Sequence, residues 1–134
     1  MKPTLYIVMR DDIPDMNPGK GMAQAAHAQA DFEAWTRVIY EEEAQFSELV
    51  ECLNEWKEDR TFGRTLVLHA TAKQIEDLVK NTSYSDTTVD PTYPWRNHYG
   101  QLFVSEEMTC AWVFMCDRCD NTEIALIKEF PLHP

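Results

Sequence analysis

The spacing of apolar and polar residues divides the chain into eight elements. Short apolar or alternating runs predict four β-strands, at residues 4–10, 64–70, 85–90 and 108–116. Longer segments predict four helices, at residues 19–40, 44–58, 72–81 and 121–129. The resulting order, β-α-α-β-α-β-β-α, is typical of a single α/β domain, which we assign to residues 1–134.

The apolar faces of these elements indicate where each one packs. The strand over 108–116 is apolar at nearly every position, so we expect it near the centre of the sheet. The helix over 72–81 turns Ile75, Leu78 and Val79 inward. The helix over 44–58 carries a larger apolar face, formed by Phe46, Leu49, Val50, Leu53 and Trp56. Between residues 90 and 100, "DPTYPWRNHYG" predicts a loop rich in Tyr, Trp, Arg and His.

Composition indicates a globular protein of the cytoplasm. Hydrophobic residues make up 44% of the 134 residues and aromatic residues 11%, which is typical of a folded domain and not of a disordered chain. No apolar run approaches membrane-spanning length, and the N-terminus lacks a signal-peptide pattern. The four cysteines are too few and too irregular for a disulfide framework, so we expect a reducing compartment.

The net charge of −11 opposes binding to nucleic acids, which are themselves anionic. Much of the acid lies in residues 41–59, a run that is typical of a solvated helix face. Any nucleic-acid contact would therefore need a local basic patch. Six residues are available for one: Arg10, Lys20, Lys57, Arg60, Arg64 and Arg96.

The start of the first helix carries the candidate chemistry. In "MNPGKGMAQAAHAQADF", residues 16–32, the side chains of Lys20, Ala23, Gln24 and His27 share one helix face. Unpaired N–H groups at residues 19–22, together with the lysine charge, would form an anion site. Spacing alone favours the simpler interpretation, a solvated lysine in an alanine-rich helix. The Gly-Lys pair is not a P-loop, because the earlier glycine and the following Ser or Thr are missing.

This segment resembles the N-terminal signature of the class II peptidyl-tRNA hydrolases. In that family an apolar strand ends in Arg and is followed by Asp-Leu, Met and Gly-Lys-x-Ala-Ala-Gln-x-x-His-Ala. The matching residues here are Arg10, Asp12, Ile13, Met16, Gly19, Lys20, Ala23, Gln24, His27 and Ala28. Weaker similarity covers 56–81 and 108–116, with Thr109 at the position of the family's last-strand threonine. The resemblance implies a mixed four-stranded sheet with helices on both faces.

One family motif is not preserved. The family has Asp-Ala-Gly-x-Thr twelve residues before the last-strand threonine. A count without gaps places Asn97 at the aspartate and Gln101 at the threonine, whereas a gapped alignment uses Asp90, with Thr92 close by. An asparagine positions water but cannot accept its proton, so the two alignments predict different chemistry.

The implied reaction is hydrolysis of the ester between a peptide and the ribose at the tRNA 3′ end. Lys20 would stabilise the oxyanion or a terminal phosphate, and Gln24 and Thr109 would orient water or substrate. His27 would act as a base, although its spacing alone favours a hydrogen-bonded packing residue. The catalytic candidates are thus Lys20, Gln24, His27, Asp90, Asn97 and Thr109. The substrate-binding candidates are Gly19, Arg10, Arg60, Arg64, Trp95, Arg96 and Gln101.

Neither a metal nor a cofactor is implied. "CDRC", residues 116–119, has Cys-x-x-Cys spacing, but a single pair is a weak signal for zinc or for redox chemistry. Trp35, Trp56 and Trp112 are expected in the core, whereas Trp95 could stack on unpaired RNA bases.

Three functions remain open at this point. The first is an active peptidyl-tRNA hydrolase. The second is a tRNA-end-binding protein of the same fold that has lost catalysis. The third is an acidic protein that occupies a nucleic-acid-binding partner by mimicry, as the net charge allows. The partners to be tested are accordingly tRNA, a basic protein and a second copy of the chain in a homodimer, with no membrane involved.

Overall fold

The computed structural model describes residues 1–44, 47–59 and 62–133, and within them one mixed sheet lies between two layers of helices. This arrangement confirms the predicted α/β class. In chain order the elements are β1 (Thr4–Arg10), α1 (Pro18–Glu42), α2 (Glu48–Glu58), β2 (Thr65–Ala70), α3 (Ala72–Lys80), β3 (Ser85–Arg96), β4 (Leu102–Met115) and α4 (Asn121–Lys128).

The strands lie in the order β2-β1-β4-β3. β1 runs parallel to β2 and antiparallel to β4, and β3 runs antiparallel to β4. The most apolar strand, β4, is therefore central, as its sequence predicts. Because β1 is followed by α1, the start of that helix lies at the carboxyl end of β1, beside the central strands.

Alternation along β1 builds a core on each face of the sheet. Leu5, Ile7 and Met9 pack against α1 and α2, whereas Val8 faces α3 and α4. On the first face, the ring of Phe32 lies 5.1–5.9 Å, centroid to centroid, from four other aromatic rings. Three of these belong to Trp35, Trp56 and Trp112. Trp56 and Trp112 are buried in the core, as predicted, and Trp35 is half-buried against it.

Helix boundaries follow from local capping. Asn17 caps α1 with its side-chain oxygen, which accepts a hydrogen bond from the backbone N–H of Lys20 at 2.9 Å, and Pro18 occupies the first turn, where no donor is lost. Ser47 caps α2, so this helix begins at Glu48 and not at residue 44 as predicted. Phe46, predicted on its apolar face, lies outside the described residues.

Both strands of the last hairpin are longer than predicted. The sequence predicts a loop from residue 90, but β3 continues to Arg96 and pairs with β4 from Leu102 onward. Pro91 and Pro94 suggested a loop because proline has no N–H for a ladder. β3, however, is an edge strand, where proline is tolerated on the free side. Only residues 97–101 form the turn.

Two irregularities in this hairpin aim polar side chains at α1. Between Asp90 and Tyr93, β3 contains one residue more than the segment of β4 that it pairs with. Opposite Thr88 and Val89 the extra residue is on β4, and it is Thr109. β-Bulges of this kind re-aim side chains that regular alternation would send elsewhere. As a result Asp90 and Thr109 both turn toward α1.

Among residues 1–44, 47–59 and 62–133, no helix is both long enough and apolar enough to cross a membrane.

Candidate active site

Gln24 is the centre of a buried hydrogen-bond network between α1, β3 and β4. Its amide nitrogen donates to Asp90 Oδ2 at 2.8 Å. Its amide oxygen accepts from the hydroxyl of Thr109 at 2.7 Å and lies 3.3 Å from Nδ1 of His27. Gln24 and Thr109 are 3% and 0% exposed, and Asp90 is 9% exposed. The network is therefore held almost entirely out of water, apart from the exposed ring of His27.

The charge on Asp90 fixes the orientation of every group in the network. Burial opposes ionisation of this carboxyl, but hydrogen bonds from Thr92 and Gln24 outweigh it and lower the pKa of Asp90. An ionised carboxylate can only accept, so the Gln24 amide must present its NH₂ to Asp90 and its oxygen to the other partners. His27 must then donate from Nδ1. In the neutral ring this leaves a lone pair on Nε2.

Lys20 lies one helical turn before Gln24 and is already bound to protein oxygens. Its ammonium donates to Asp15 Oδ2 at 3.1 Å and to the carbonyl of Pro94 at 2.8 Å, and it lies 5.4 Å from the ring centroid of Tyr93. The hydrogen bond from Lys20, followed by that from the backbone N–H of Arg96, lowers the pKa of Asp15. The lysine thus joins the start of α1 to the hairpin.

The prediction of free N–H groups at residues 19–22 is wrong in part. The N–H of Lys20 is bound by the side chain of Asn17, and the N–H of Gly21 donates to the carbonyl of Asn17 at 2.8 Å. Gly19 is exposed in the first turn of the helix. Since these two N–H groups are bound, positive charge at this site comes chiefly from the lysine side chain.

Of the two alignments, only the gapped one brings an acidic residue to the network. Asn97 lies in the hairpin turn, where its side chain accepts from the N–H groups of Tyr99 and Gln101 and donates to the Gln101 side chain at 2.7 Å. Asn97 and Gln101 therefore stabilise the turn, and neither bonds to Gln24 or Lys20. The gapless alignment, which gave both residues a place in the site, is not supported by this geometry.

Several predicted substrate-binding residues have other partners. Arg10 is bonded to Asp12 at 2.7 Å, to Glu107 at 3.3 Å and to the carbonyl of Met108. Its charge is thus offset by two carboxylates, which reduces what Arg10 could contribute to a basic patch.

The basic residues that the structure describes do not form one patch. Arg64 lies where β1 and β2 begin, because its carbonyl accepts from the N–H of Leu5, whereas Lys20 follows the opposite end of β1. The predicted contribution of Arg64 to a patch with Lys20 is therefore wrong. Arg60, predicted to act beside it, lies outside the described residues. Lys57 lies over the ring of Tyr40, at 4.4 Å.

Two of the predicted substrate-binding residues lie on the hairpin near Lys20. Trp95 stacks on Phe103 with ring centroids 4.8 Å apart and donates to the hydroxyl of Ser105. Arg96 is exposed, and its guanidinium donates to the carbonyl of Gly100 at 2.9 Å. Asp15 links this part of the hairpin to the lysine, since its carboxylate accepts from both the N–H of Arg96 and the ammonium of Lys20.

Sequence reasoning missed Asp15 and Tyr93, and it did not assign Thr92 a role. Tyr93 is fully buried, donates to the carbonyl of Pro14 at 2.8 Å and has its pKa raised to about 12 by burial. Asp15 has a φ of 66°, a conformation that Asp and Asn adopt more readily than most residues. The run Asp-Met-Asn-Pro was the available signal for that turn.

The arrangement offers a base, an orienting chain and a cation on one face of α1. His27 can accept a proton at Nε2, Gln24 and Asp90 hold its ring in the required tautomer, and Lys20 supplies positive charge two turns before His27. Across the part of the chain that the structure describes, no group of three or more His, Cys, Asp or Glu residues is arranged to hold a metal ion. No protein-family model matches the chain and no curated protein matches it, so the family resemblance rests on the residues quoted above.

Proposed function

We propose that the protein hydrolyses the ester between a peptide and the 3′ ribose of a tRNA. The observation that carries this proposal is the hydrogen-bonded chain from Asp90 through Gln24 to His27, with Lys20 on the same helix face. A carboxylate that orients a neutral base through an intermediate group is a general device for activating water. The resemblance to the class II peptidyl-tRNA hydrolases supplies the substrate class.

The proposed reaction uses the chain's own side chains throughout. His27 Nε2 accepts a proton from a water molecule, and the resulting hydroxide attacks the ester carbonyl. The tetrahedral oxyanion that forms is stabilised by the ammonium of Lys20. Collapse of this intermediate breaks the bond to the ribose oxygen, which takes the proton back from the His27 imidazolium. The products are a free peptide carboxylate and a tRNA with its terminal hydroxyl restored.

The present partners of Lys20 are compatible with this role. The side chains of Lys20 and Asp15 are 25% and 39% exposed, and ion pairs as exposed as this contribute little free energy. The ammonium can therefore exchange Asp15 for a substrate oxygen at small cost. Its second partner, the carbonyl of Pro94, keeps it directed toward the hairpin that carries Trp95 and Arg96.

A release assay with purified protein and a labelled peptidyl-tRNA analogue tests the proposal. The wild-type protein should release the peptide, and Lys20→Ala and His27→Ala should each lower the rate by at least about a hundredfold. Lys73→Ala is the matched control, since Lys73 is exposed on α3 and pairs with Asp77 on the same helix. Equal rates for wild type and both site variants would exclude the proposed roles.

The acidic charge supports a second candidate, a protein that binds a basic partner by mimicry of nucleic acid. With a net charge of −11, and with Arg10 paired to two carboxylates, most of the surface repels RNA. This candidate predicts no binding to tRNA even at low salt, together with salt-sensitive binding to a basic polypeptide such as polylysine. The hydrolase candidate predicts the opposite, namely that the protein binds tRNA at low salt more tightly than it binds polylysine.

A further inference from the structure

Three cysteine side chains meet at the end of β4, away from the candidate active site. Cys116 and Cys119 flank the turn between β4 and α4, and Cys52 lies on α2. The thiols of Cys52 and Cys119 both lie near that of Cys116, since each contributes to its raised pKa. All three are free thiols, and Cys116 and Cys119 are 0% and 7% exposed.

The turn brings the two cysteines of "CDRC" to disulfide geometry. The N–H of Cys119 donates to the carbonyl of Cys116 at 3.0 Å, which closes a four-residue turn. In such turns the first and last Cα atoms are less than about 7 Å apart. A disulfide needs a Cα separation of roughly 4.4–6.8 Å. Because the turn already brings the two Cα atoms to about this separation, a bond between the thiols requires rotation of the side chains and little movement of the backbone.

The two thiols differ in reactivity. Interaction with the Cys116 thiol favours the thiolate of Cys119 and lowers the pKa of Cys119, even though burial opposes this. Interaction with Cys119, together with burial, raises the pKa of Cys116, and burial raises that of Cys52. Cys119 is therefore the nucleophile, and Cys116 is the thiol placed to resolve its oxidised form.

We propose that Cys116 and Cys119 form a site of reversible oxidation by hydrogen peroxide. The Cys119 thiolate attacks one peroxide oxygen and breaks the O–O bond, which gives a sulfenic acid and, after protonation, one water. The Cys116 thiol then attacks the Cys119 sulfur and displaces a second water. In total two thiols and one H₂O₂ give one disulfide and two H₂O, so the sulfurs lose two electrons and the peroxide gains them. A dithiol reductant reverses the step.

The surface around Cys52 favours a small uncharged oxidant. Cys52 lines a cavity of about 410 Å³ beside the thiol cluster. One arginine and four carboxylates share this lining: Arg118, Glu48, Glu51, Glu55 and Asp117. Such a rim repels glutathione disulfide, which is anionic, but does not repel hydrogen peroxide. The proposal does not depend on the hydrolase activity, because none of these residues belongs to the Gln24 network.

Peptide mapping of the peroxide-treated, folded full-length protein tests the proposal. The reduced protein is treated with hydrogen peroxide, its remaining thiols are alkylated after unfolding, and it is cut with trypsin. We expect the peptides ending at Arg118 and beginning at Cys119 to stay joined by a disulfide, with Cys52 and Cys110 alkylated. Dithiothreitol should separate them, and an equal concentration of glutathione disulfide should join them more slowly.

Single substitutions give the order of events. Cys116→Ser should trap a sulfenic acid on Cys119 that dimedone labels, Cys119→Ser should give no disulfide, and Cys52→Ser should still give the Cys116–Cys119 bridge. A bridge between Cys52 and Cys116 in the wild-type protein would overturn the proposal. So would four alkylated thiols after a peroxide treatment that oxidises free cysteine in the same solution. Both of these outcomes are read on the wild-type chain and do not require any variant to fold.

Discussion

Asp90 carries a negative charge in a largely buried position because several donors converge on it. Its Oδ1 accepts from the N–H of Thr92 at 2.9 Å, and its Oδ2 accepts from Gln24 at 2.8 Å. Burial alone would raise the pKa of the carboxyl, and the hydrogen bonds lower it below its ordinary value of 3.8. The folded state therefore stabilises the charged form of Asp90 relative to the unfolded chain.

This shift predicts a pH-dependent effect of Asp90→Asn on stability. A carboxyl whose pKa is lower in the folded protein than in the unfolded chain stabilises the fold. This stabilisation is fully present above the pKa of the unfolded state and is lost as the pH falls through the pKa of the folded state. The difference in unfolding free energy between wild type and Asp90→Asn should therefore be constant near neutral pH and should narrow below pH 3.8. Urea unfolding of both proteins across this range measures it. A difference that widens on acidification would contradict the assigned charge.

At the residue scale the sequence identified the members of the network but not their connections. Lys20, Gln24 and His27 could be placed on one face because helical spacing fixes their relative directions. That Thr109 and Asp90 would meet Gln24 depended on two bulges in the last hairpin, which no local pattern encoded. The pairing of Arg10 with Glu107 joins residues 97 positions apart, so it too could be seen only in the folded chain.

At the scale of elements, the turn into β2 depends on a glycine beneath Trp56. Gly63 has a φ of +82°, and a Cβ at this position would lie 2.3 Å from Trp56 Cε2. Trp56 is itself fixed in the core, with its indole N–H donating to the carbonyl of Arg64 at 2.8 Å. Any side chain at Gly63 must therefore displace the indole as well as adopt a strained backbone.

We expect Gly63→Ala to be much more destabilising than Gly100→Ala. Gly100, in the hairpin turn, has a similar φ of +79°, but a methyl group added there would have no other atom within 4 Å. Gly100→Ala therefore measures only the cost of placing alanine in the left-handed backbone conformation, which is roughly 1–2 kcal/mol. The clash at Gly63 should add roughly 1–3 kcal/mol more. Denaturant unfolding of the two variants gives the difference directly, and equal losses of stability would show that Trp56 does not restrict this turn.

Element boundaries were predictable where local chemistry sets them. Thr71 and Asp120 form capping boxes that start α3 and α4 within one residue of the positions expected from the sequence. The extension of β3 past Pro91 was not predictable, because whether a proline breaks a strand depends on its place in the sheet. β3 is the last strand in the order β2-β1-β4-β3, so one of its edges pairs with β4 and the other edge tolerates a proline.

At the scale of the whole molecule, the two ends of β1 differ in how they could meet RNA. Arg96, Lys20 and Trp95 lie near the carboxyl end of β1, whereas Arg64 lies near its start. The fold class could be predicted from the sequence, because few layered architectures fit this order of strands and helices. The positions of the charged residues on the surface could not be predicted, because they depend on the order of the strands across the sheet.

This distribution predicts unequal effects of two charge reversals on tRNA binding. Arg96→Glu should weaken binding and reduce the slope of log affinity against log salt by about one, as expected when a phosphate contact is lost. Arg64→Glu is the matched control, with the same change of charge at the far end of the sheet, and should leave the slope unaltered. Binding measured by fluorescence anisotropy over a salt series distinguishes the two. Equal effects of the two reversals would mean that only the net charge matters.

In the proposed mechanism, Asp90 determines through Gln24 which nitrogen of His27 carries the proton. In Asp90→Asn, an amide that keeps its oxygen on Thr92 turns its NH₂ toward Gln24, which must then rotate its own amide to accept. The rotated Gln24 presents NH₂ to His27 Nδ1, so the imidazole proton moves to Nε2 and the base is lost.

The most direct test is the rate of peptide release from a labelled peptidyl-tRNA analogue by wild type, Asp90→Asn and Asn97→Ala, with folding of each checked by circular dichroism. We expect Asp90→Asn to lower the rate by about a hundredfold, the smallest effect usual for the loss of a general base. Asn97→Ala, which alters only the hairpin turn, should stay within about threefold of wild type. A folded Asp90→Asn protein with wild-type turnover, or a larger loss in Asn97→Ala than in Asp90→Asn, would show that Asp90 does not control His27.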